Sequence, residues 1–441
     1  MTLTEGLVAL LARPVAAADR ARAALHVLDW IGCAAAGAAE EAGPVFRAHA
    51  ATEPGPARIL LGGGATARMA ALANGALGNV LEMDDVHREA ILHAGPVVVP
   101  AALALAAAHD APGEALLDAV LRGYEAEIRL GRALGPAHYA RFHPSATCGP
   151  FGAAAACASL LGLDAARMAD ALGNAASVAG GLWRCRHEPG LTKQWHTAHA
   201  AAAGLEAALL AAQGMTGPRA ILEGAQGLFE GFSPDARPGR VLDGADAPWL
   251  IHETSFKPWP ACRHAHPAID AALLLRDGLA GQMPERVEVA AYADAITFCD
   301  RAEPRSTIEA KFSLQHAVAV ALLDGPPPLA AFAPQGIARA DIAALRARIS
   351  VRADAALSAA YPAHFGAGVA ILLPDGQRLE ARVADALGDP ENPLAPEAVI
   401  GKARALMAHA GVAPARSEAA IAAALALAEG GAARACNDAL P

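Results

Sequence analysis

Four short segments of this chain concentrate ionisable side chains against otherwise plain, Ala-rich surroundings. In NGALGNVLEMDDVHREAILHAGPVVVP (74–100), Glu82, Asp84, Asp85, His87, Arg88 and His93 lie close together between two apolar helical stretches. RFHPSATCGPFGAAAA (141–156) places His143 before a proline and a Ser/Thr turn. A helix is expected to open near Phe151, where free backbone N–H groups and a positive dipole end would suit a carboxylate. GGLWRCRHEPGLTKQWHTAHAAAAG (180–204) carries Arg184, Arg186, His187 and Lys193 on a Gly/Pro-bearing loop, followed by His196 and His199. FKPWPACRHAHPAIDAA (256–272) gathers Lys257, Arg263, His264 and His266 just before the texture of the chain changes, and domain junctions are favoured places for pockets.

Each segment also has an ordinary reading. Asp84 and Asp85 are placed to cap helices, a lone histidine is more often structural than catalytic, and surface Lys and Arg are usually only solvated. Taken together, however, the four supply a coherent chemistry. Arg grips a carboxylate with a bidentate fork and Lys adds a point charge. Removing a proton next to a carboxylate builds negative charge on that group, which fixed cations stabilise most in the transition state. Histidine, unperturbed, titrates near neutrality and can take that proton or assist a leaving group. With no nucleophile elbow present, such a set suits elimination, decarboxylation or epimerisation.

The elements that must position these side chains read as two textures. Apolar residues recur at helical spacing over 17–38, 66–82, 97–109, 113–134, 150–161, 164–180 and 197–213, with no convincing strand pattern up to about residue 235. Pro and Gly crowd 233–247, a loop. After Asp270, residues 285–299 and 347–357 alternate like strands, 368–386 reads as a hairpin turning at Asp375-Gly376, and 311–325 as a helix. Helical texture returns from Pro396. The expected fold is mainly α with a smaller α+β domain: residues 1–270 and 396–441 form an all-helical domain and 271–395 an inserted α+β domain.

Composition narrows the function. Hydrophobic residues make up 54% of the 441 but aromatics only 4%, so Ala, Leu, Val and Ile carry the core and close helix packing is expected. The longest apolar run, Gly95 to Ala108, holds two prolines and falls short of the ~20 residues of a membrane span. The N-terminus lacks the basic start and cleavage site of a signal peptide. Seven scattered cysteines without a CxxC pair fit a reducing, cytoplasmic setting. A net charge of −10 argues against nucleic acid as a partner. Gly62-Gly63-Gly64 is not followed by Lys-Ser/Thr and no GxGxxG joins a strand to a helix, so no nucleotide cofactor is expected. His196 and His199 share a helix face, the starting point for a metallohydrolase reading. No HExxH or comparable ligand set accompanies them, so no metal is expected.

In these segments the chain resembles the MmgE/PrpD family over nearly its whole length. The resemblance rests on Asn74-Gly75 through Asp85, His93, Gly123-Tyr124-Glu125, Phe142-His143-Pro144, Thr192-Lys193 and GMTGPRAILEG (214–224). It continues through Lys257 to His266, EAKFSLQHAVAVALLDG (309–325) and GDPENPL (388–394). It implies a helical domain with a smaller α+β lid, a homodimer, and a cofactor-independent lyase, with dehydratase, decarboxylase and epimerase activities among its members. By the same resemblance, His143, His266, Lys193, His93 and Glu82 are the candidate catalytic residues. Lys193, Arg88, Arg263, Arg184 and Arg186 are the candidate carboxylate binders. The chain departs from the family pattern at Asn79, Val86 and Ala94, where His, Thr and Pro are usual, and Glu82 stands in place of an Asp. A dehydratase-like lyase is therefore expected, with epimerase, decarboxylase, metal-dependent hydrolase and non-catalytic metabolite-binding protein as the other readings.

Overall fold

The computed structural model describes residues 1–188 and 190–440, with Arg186 described through its backbone alone. The chain divides into two compact units, Met1–Thr254 with Ala395–Pro441, and Ser255–Leu394. The architecture is mainly helical, with a smaller α+β part. The second unit begins ahead of the texture change at Asp270, because the basic segment 256–266 and the helix His266–Leu275 pack with the sheet that follows them.

The first unit is built around Gly95–Ala108, a helix buried from Gly95 to Ala107. A helix apolar on every side can only be central, and Ala67–Gly78, Gly113–Leu134, Gly149–Leu160 and Thr192–Ala212 pack against it. Ala and Gly set the close spacing. A Cβ on Gly204 would lie 2.4 Å from the Pro150 carbonyl oxygen, so Thr192–Ala212 meets Gly149–Leu160 backbone to backbone. The C-terminal helix Pro396–His409 returns to this unit and packs on Ala17–Ala39.

Three departures from the expected elements matter for the site. The helix expected over 66–82 ends at Gly78 with Asn79 as its C-cap, which releases residues 80–85 into a loop. The helix expected from 197 begins at Thr192, so Lys193 and His196 lie one turn apart on it. A single turn, Pro144–Thr147, precedes the helix Gly149–Leu160. The unit also holds a two-residue ladder between Ala57–Arg58 and Gly64–Ala65, too short to leave an alternating pattern.

In the second unit the strands lie in the order Ile349–Ala353, Arg286–Ala291, Ala367–Leu372, Arg378–Val383. The first pair is parallel and the others antiparallel, with Val289 opposite Val351 and Val369. Val287, Val289, Val369 and Ile371 are buried in one core with residues of the helices His266–Leu275 and Leu314–Asp324. Glu288, Arg352, Glu380 and Arg382 line the opposite face, the period-2 alternation of a sheet covered on one side. Residues 285–299 and 347–357 are each strand first and helix after, Ala293–Cys299 and Ala355–Ala360. Among the described residues no helix is long and apolar enough to cross a membrane.

Candidate active site

The helical unit brings Glu82, His93, His143 and Lys193 together from distant parts of the chain. The framework beneath them is the buried carboxylate of Asp85. It accepts hydrogen bonds from the Tyr124 hydroxyl (2.6 Å), His26 Nδ1 (2.7 Å) and the Gly95 backbone N–H (2.9 Å). Burial pushes the Asp85 carboxyl up, but these donors together outweigh it and hold it below the usual range. Burial takes His26 down to about 4, so it is neutral and donates through Nδ1. Gly95 is required here, since a Cβ would come 2.7 Å from Asp85 Oδ1. Asp85 thus meets the first N–H of the central helix, as its capping reading expects, within a buried network that pins the loop there, whereas Asp84 bonds side chains instead.

Asp84 orients His93. Its Oδ2 receives Asn79 Nδ2 (2.7 Å) and lies 2.9 Å from His93 Nδ1, which is also 2.8 Å from the Asp85 carbonyl oxygen. Both partners of Nδ1 are acceptors, so Nδ1 carries the hydrogen and Nε2 offers its lone pair. Asn79, a departure from the family pattern, therefore holds the carboxylate that sets the tautomer. The His93 backbone N–H donates to Ser145 Oγ (2.9 Å), joining this loop to the turn after His143.

Glu82 has a φ of +56°, a left-handed conformation uncommon for a residue with a side chain and a form of strain that gathers at functional sites. From there its buried carboxylate forms an ion pair with Lys193. Its structural partner is the lysine, and the histidine is oriented by Asp84 instead.

His143 is 1% exposed. Its ring packs 4.4 Å from that of Trp183 and edge-on to His93 at 6.3 Å. Its Nδ1 lies 3.2 Å from His196 Nδ1, while Nε2 is buried with no hydrogen-bond partner among the described residues. Burial chiefly, then Lys193, His196 and His93, push its pKa well below the usual value against a weaker pull from Asp84, so the ring is neutral. His143 precedes the turn Pro144–Thr147 but makes no side-chain cap there, which removes the simplest structural role for its ring. The helix start near Phe151 is not the open anion site expected. The Phe151 and Gly152 N–H groups both bond the Cys148 carbonyl, and Pro150 has no N–H.

Of the remaining candidates, Arg88, Arg184 and Arg186 belong to the helical unit and Arg263 and His266 to the second. Arg88 is buried in the loop leading to His93. Arg184 has a side chain 76% exposed and pairs with Glu188. The Arg186 side chain lies outside the described residues. Arg263 and His266 belong to the second unit and form a network there. Arg263 pairs with Asp389, donates to the Leu387 carbonyl (3.0 Å) and lies 3.0 Å from His266 Nδ1. His266 Nε2 donates to the Ala261 carbonyl (3.0 Å), so Nδ1 accepts from Arg263 and both ring nitrogens are engaged. In this arrangement the two hold the segment Ala386–Asp389. His196 and His199 diverge, one toward His143 and the other tilted against the Trp195 ring at 5.7 Å. The sequence gives no sign of His26, shows Tyr124 only within the Gly123-Tyr124-Glu125 motif, and offers His196 as half of a possible metal pair with His199 and not as the partner of His143.

Comparison with known proteins identifies two family domains along the chain. The family model of the MmgE/PrpD N-terminal domain matches residues 5–240 and that of the MmgE/PrpD C-terminal domain residues 259–427. The chain is 29% identical to the cis-aconitate decarboxylase of Mus musculus over 355 residues, 76% of this chain and 71% of that enzyme. It is 30% identical to the Homo sapiens cis-aconitate decarboxylase over 294 residues, 64% of this chain and 60% of that enzyme. The Aspergillus terreus enzyme of the same name is 28% identical over 334 residues, 69% of this chain and 67% of that enzyme.

Proposed function

The chain belongs to the MmgE/PrpD family, and we propose that it is a lyase that moves a proton next to a carboxylate of a small tricarboxylic acid. Decarboxylation of a cis-aconitate-like substrate is the first reaction to test, since the curated relatives carry that name. The observation that carries the reading is the meeting of His143, whose Nε2 has no hydrogen-bond partner among the described residues, with the Lys193–Glu82 pair and the oriented His93.

In this reading Lys193, held by Glu82, receives a substrate carboxylate and stabilises the charge that develops on it. Loss of carbon dioxide leaves an electron pair on carbon, spread into the neighbouring carboxylate, and a proton from His143 Nε2 quenches it. In an elimination the same nitrogen would first take a proton, and His93, protonated at Nε2 as well as Nδ1, would give one to the leaving hydroxide. Val86 is buried at the position where the family usually has Thr and supplies no hydroxyl, so the acid accepted by this chain need not have the shape of cis-aconitate.

The test is to incubate the purified enzyme with a panel of unsaturated and hydroxylated di- and tricarboxylates in D2O. Product, carbon dioxide and deuterium incorporation are followed by NMR. Deuterium at a carbon next to a carboxylate is expected for at least one substrate. No turnover and no exchange across the panel, from folded protein, would reject the reading.

A further inference from the structure

We propose that His196 is a positioning residue for proton transfer: through the Nδ1–Nδ1 contact it sets which nitrogen of His143 carries the proton, and it connects that proton to solvent. The inference rests on the reading of His143 as the proton-transfer group. Two nitrogens 3.2 Å apart can share only one hydrogen in a neutral pair, so the pair has two arrangements. With the hydrogen on His143 Nδ1, its Nε2 presents a lone pair and is a base. With the hydrogen on His196 Nδ1, His143 Nδ1 accepts, and Nε2 bears an N–H and is an acid. Among the described residues no acceptor-only group touches His143 Nδ1 to decide the matter, in contrast to His93, whose Nδ1 faces the Asp84 carboxylate and the Asp85 carbonyl.

The surroundings keep the pair neutral and mobile. His143 faces Lys193, His93, Asp84 and Trp183, and His196 faces Lys193 and His199. Among the described residues neither ring has a carboxylate bonded to it that would fix a cation. His196 is 8% exposed against 1% for His143, so it is the member closer to water. When Nε2–H gives its proton to the substrate carbanion, the His196 Nδ1 proton passes to His143 Nδ1, and His143 never becomes an anion. His196 regains a proton from water at Nε2, which matches the single solvent proton that decarboxylation consumes. For proton abstraction the movements reverse.

The closing experiment reads the histidine pair directly and activity separately. Ring 15N shifts of His143, assigned through the His143→Ala variant, are titrated by NMR in the parent protein and in His196→Asp. A carboxylate at position 196 should fix the hydrogen on His143 Nδ1 and raise the His143 pKa by about 1–3 units, carrying the matching limb of the kcat/KM pH profile upward. His196→Phe should lower kcat about tenfold or more with little change in KM or melting temperature, short of the full effect of about 10²–10⁴ for a direct acid–base group. His196→Asn, which keeps a hydrogen-bonding group near the Nδ1 position, should recover much of the loss. Identical His143 shifts and pH titration in the parent and His196→Asp would overturn the proposal, as would normal kcat in His196→Phe. A parent inactive on every acid tested would instead reject the functional reading, while the NMR comparison would still report on the pair.

Discussion

At His143 a catalytic and a structural reading make opposite forecasts, and one variant separates them. Removing a general acid–base group costs about 10²–10⁴ in rate, so His143→Ala should lower kcat by roughly that factor while the melting temperature stays near the parent value. Near-normal kcat in the folded variant would end the catalytic reading. Lys193→Ala should act mainly on KM, because it removes a charge that meets the ground-state carboxylate, and on kcat as well if more charge develops there in the transition state. A third residue tests the interior. Both carboxyl oxygens of Glu127 are buried without a hydrogen-bond partner among the described residues, beside Gly152. Burial, with a smaller push from Asp85, raises its pKa well above 4.5, so it is folded in as the neutral acid. The sign follows: its favourable contribution is full below the unfolded pKa near 4.5 and is lost as pH rises toward the folded value. Glu127→Gln does not titrate there, so its melting temperature should gain on the parent between pH 5 and pH 8. A variant-minus-parent difference that stays constant or falls over that range would mean that Glu127 is ionised in the fold.

Among the elements, the returning C-terminal helix Pro396–His409 has the most specific link to the candidate site. Lys402 on that helix pairs with buried Asp29 at 2.6 Å and donates to the Met83 carbonyl at 2.5 Å, in the loop that carries Glu82, Asp84 and Asp85. Removing one partner of a buried ion pair typically costs about 3–5 kcal/mol, because the other charge is left buried alone. Lys402→Ala should therefore lower the melting temperature clearly and loosen the 80–85 loop, so that activity falls even at temperatures where the protein is folded. Thermal denaturation with kcat measured well below the transition checks both parts; unchanged stability would show that the pair contributes nothing. Glu82, at its φ of +56°, depends on this support because its strained backbone must be held by its neighbours.

For the molecule as a whole, the proposed reaction needs only groups the chain supplies: a cation for the carboxylate, a neutral histidine, and a second histidine oriented by Asp84. Activity is therefore expected to survive EDTA and to need no added nucleotide, which an assay after dialysis against chelator would measure. Loss of activity restored by one divalent ion would reject this. The family resemblance also carries a homodimer, so light scattering should give twice the chain mass of 44.6 kDa.

What the sequence by itself determined was the architecture and the membership. Helical spacing over 17–38 and 113–134 corresponds to Ala17–Ala39 and Gly113–Leu134, because long periodic stretches and their capping signals are local properties. The Asp375-Gly376 turn is legible for the same reason: Gly376 adopts the positive φ, +87°, that this turn requires. The candidates His143, Lys193, His93 and Glu82 were legible as motif residues, but their partners were not. That Glu82 meets Lys193 and Asp84 meets His93, that Asp85 gathers His26, Tyr124 and Gly95, and that Arg184 faces solvent all depend on which side chains the packed helices bring within hydrogen-bond reach. His26 and Asp85 are fifty-nine residues apart and His143 and His196 fifty-three, so no local pattern records either pair. Only the tertiary structure decides them, because a hydrogen bond is set by distance and burial in space and leaves no periodicity in the chain.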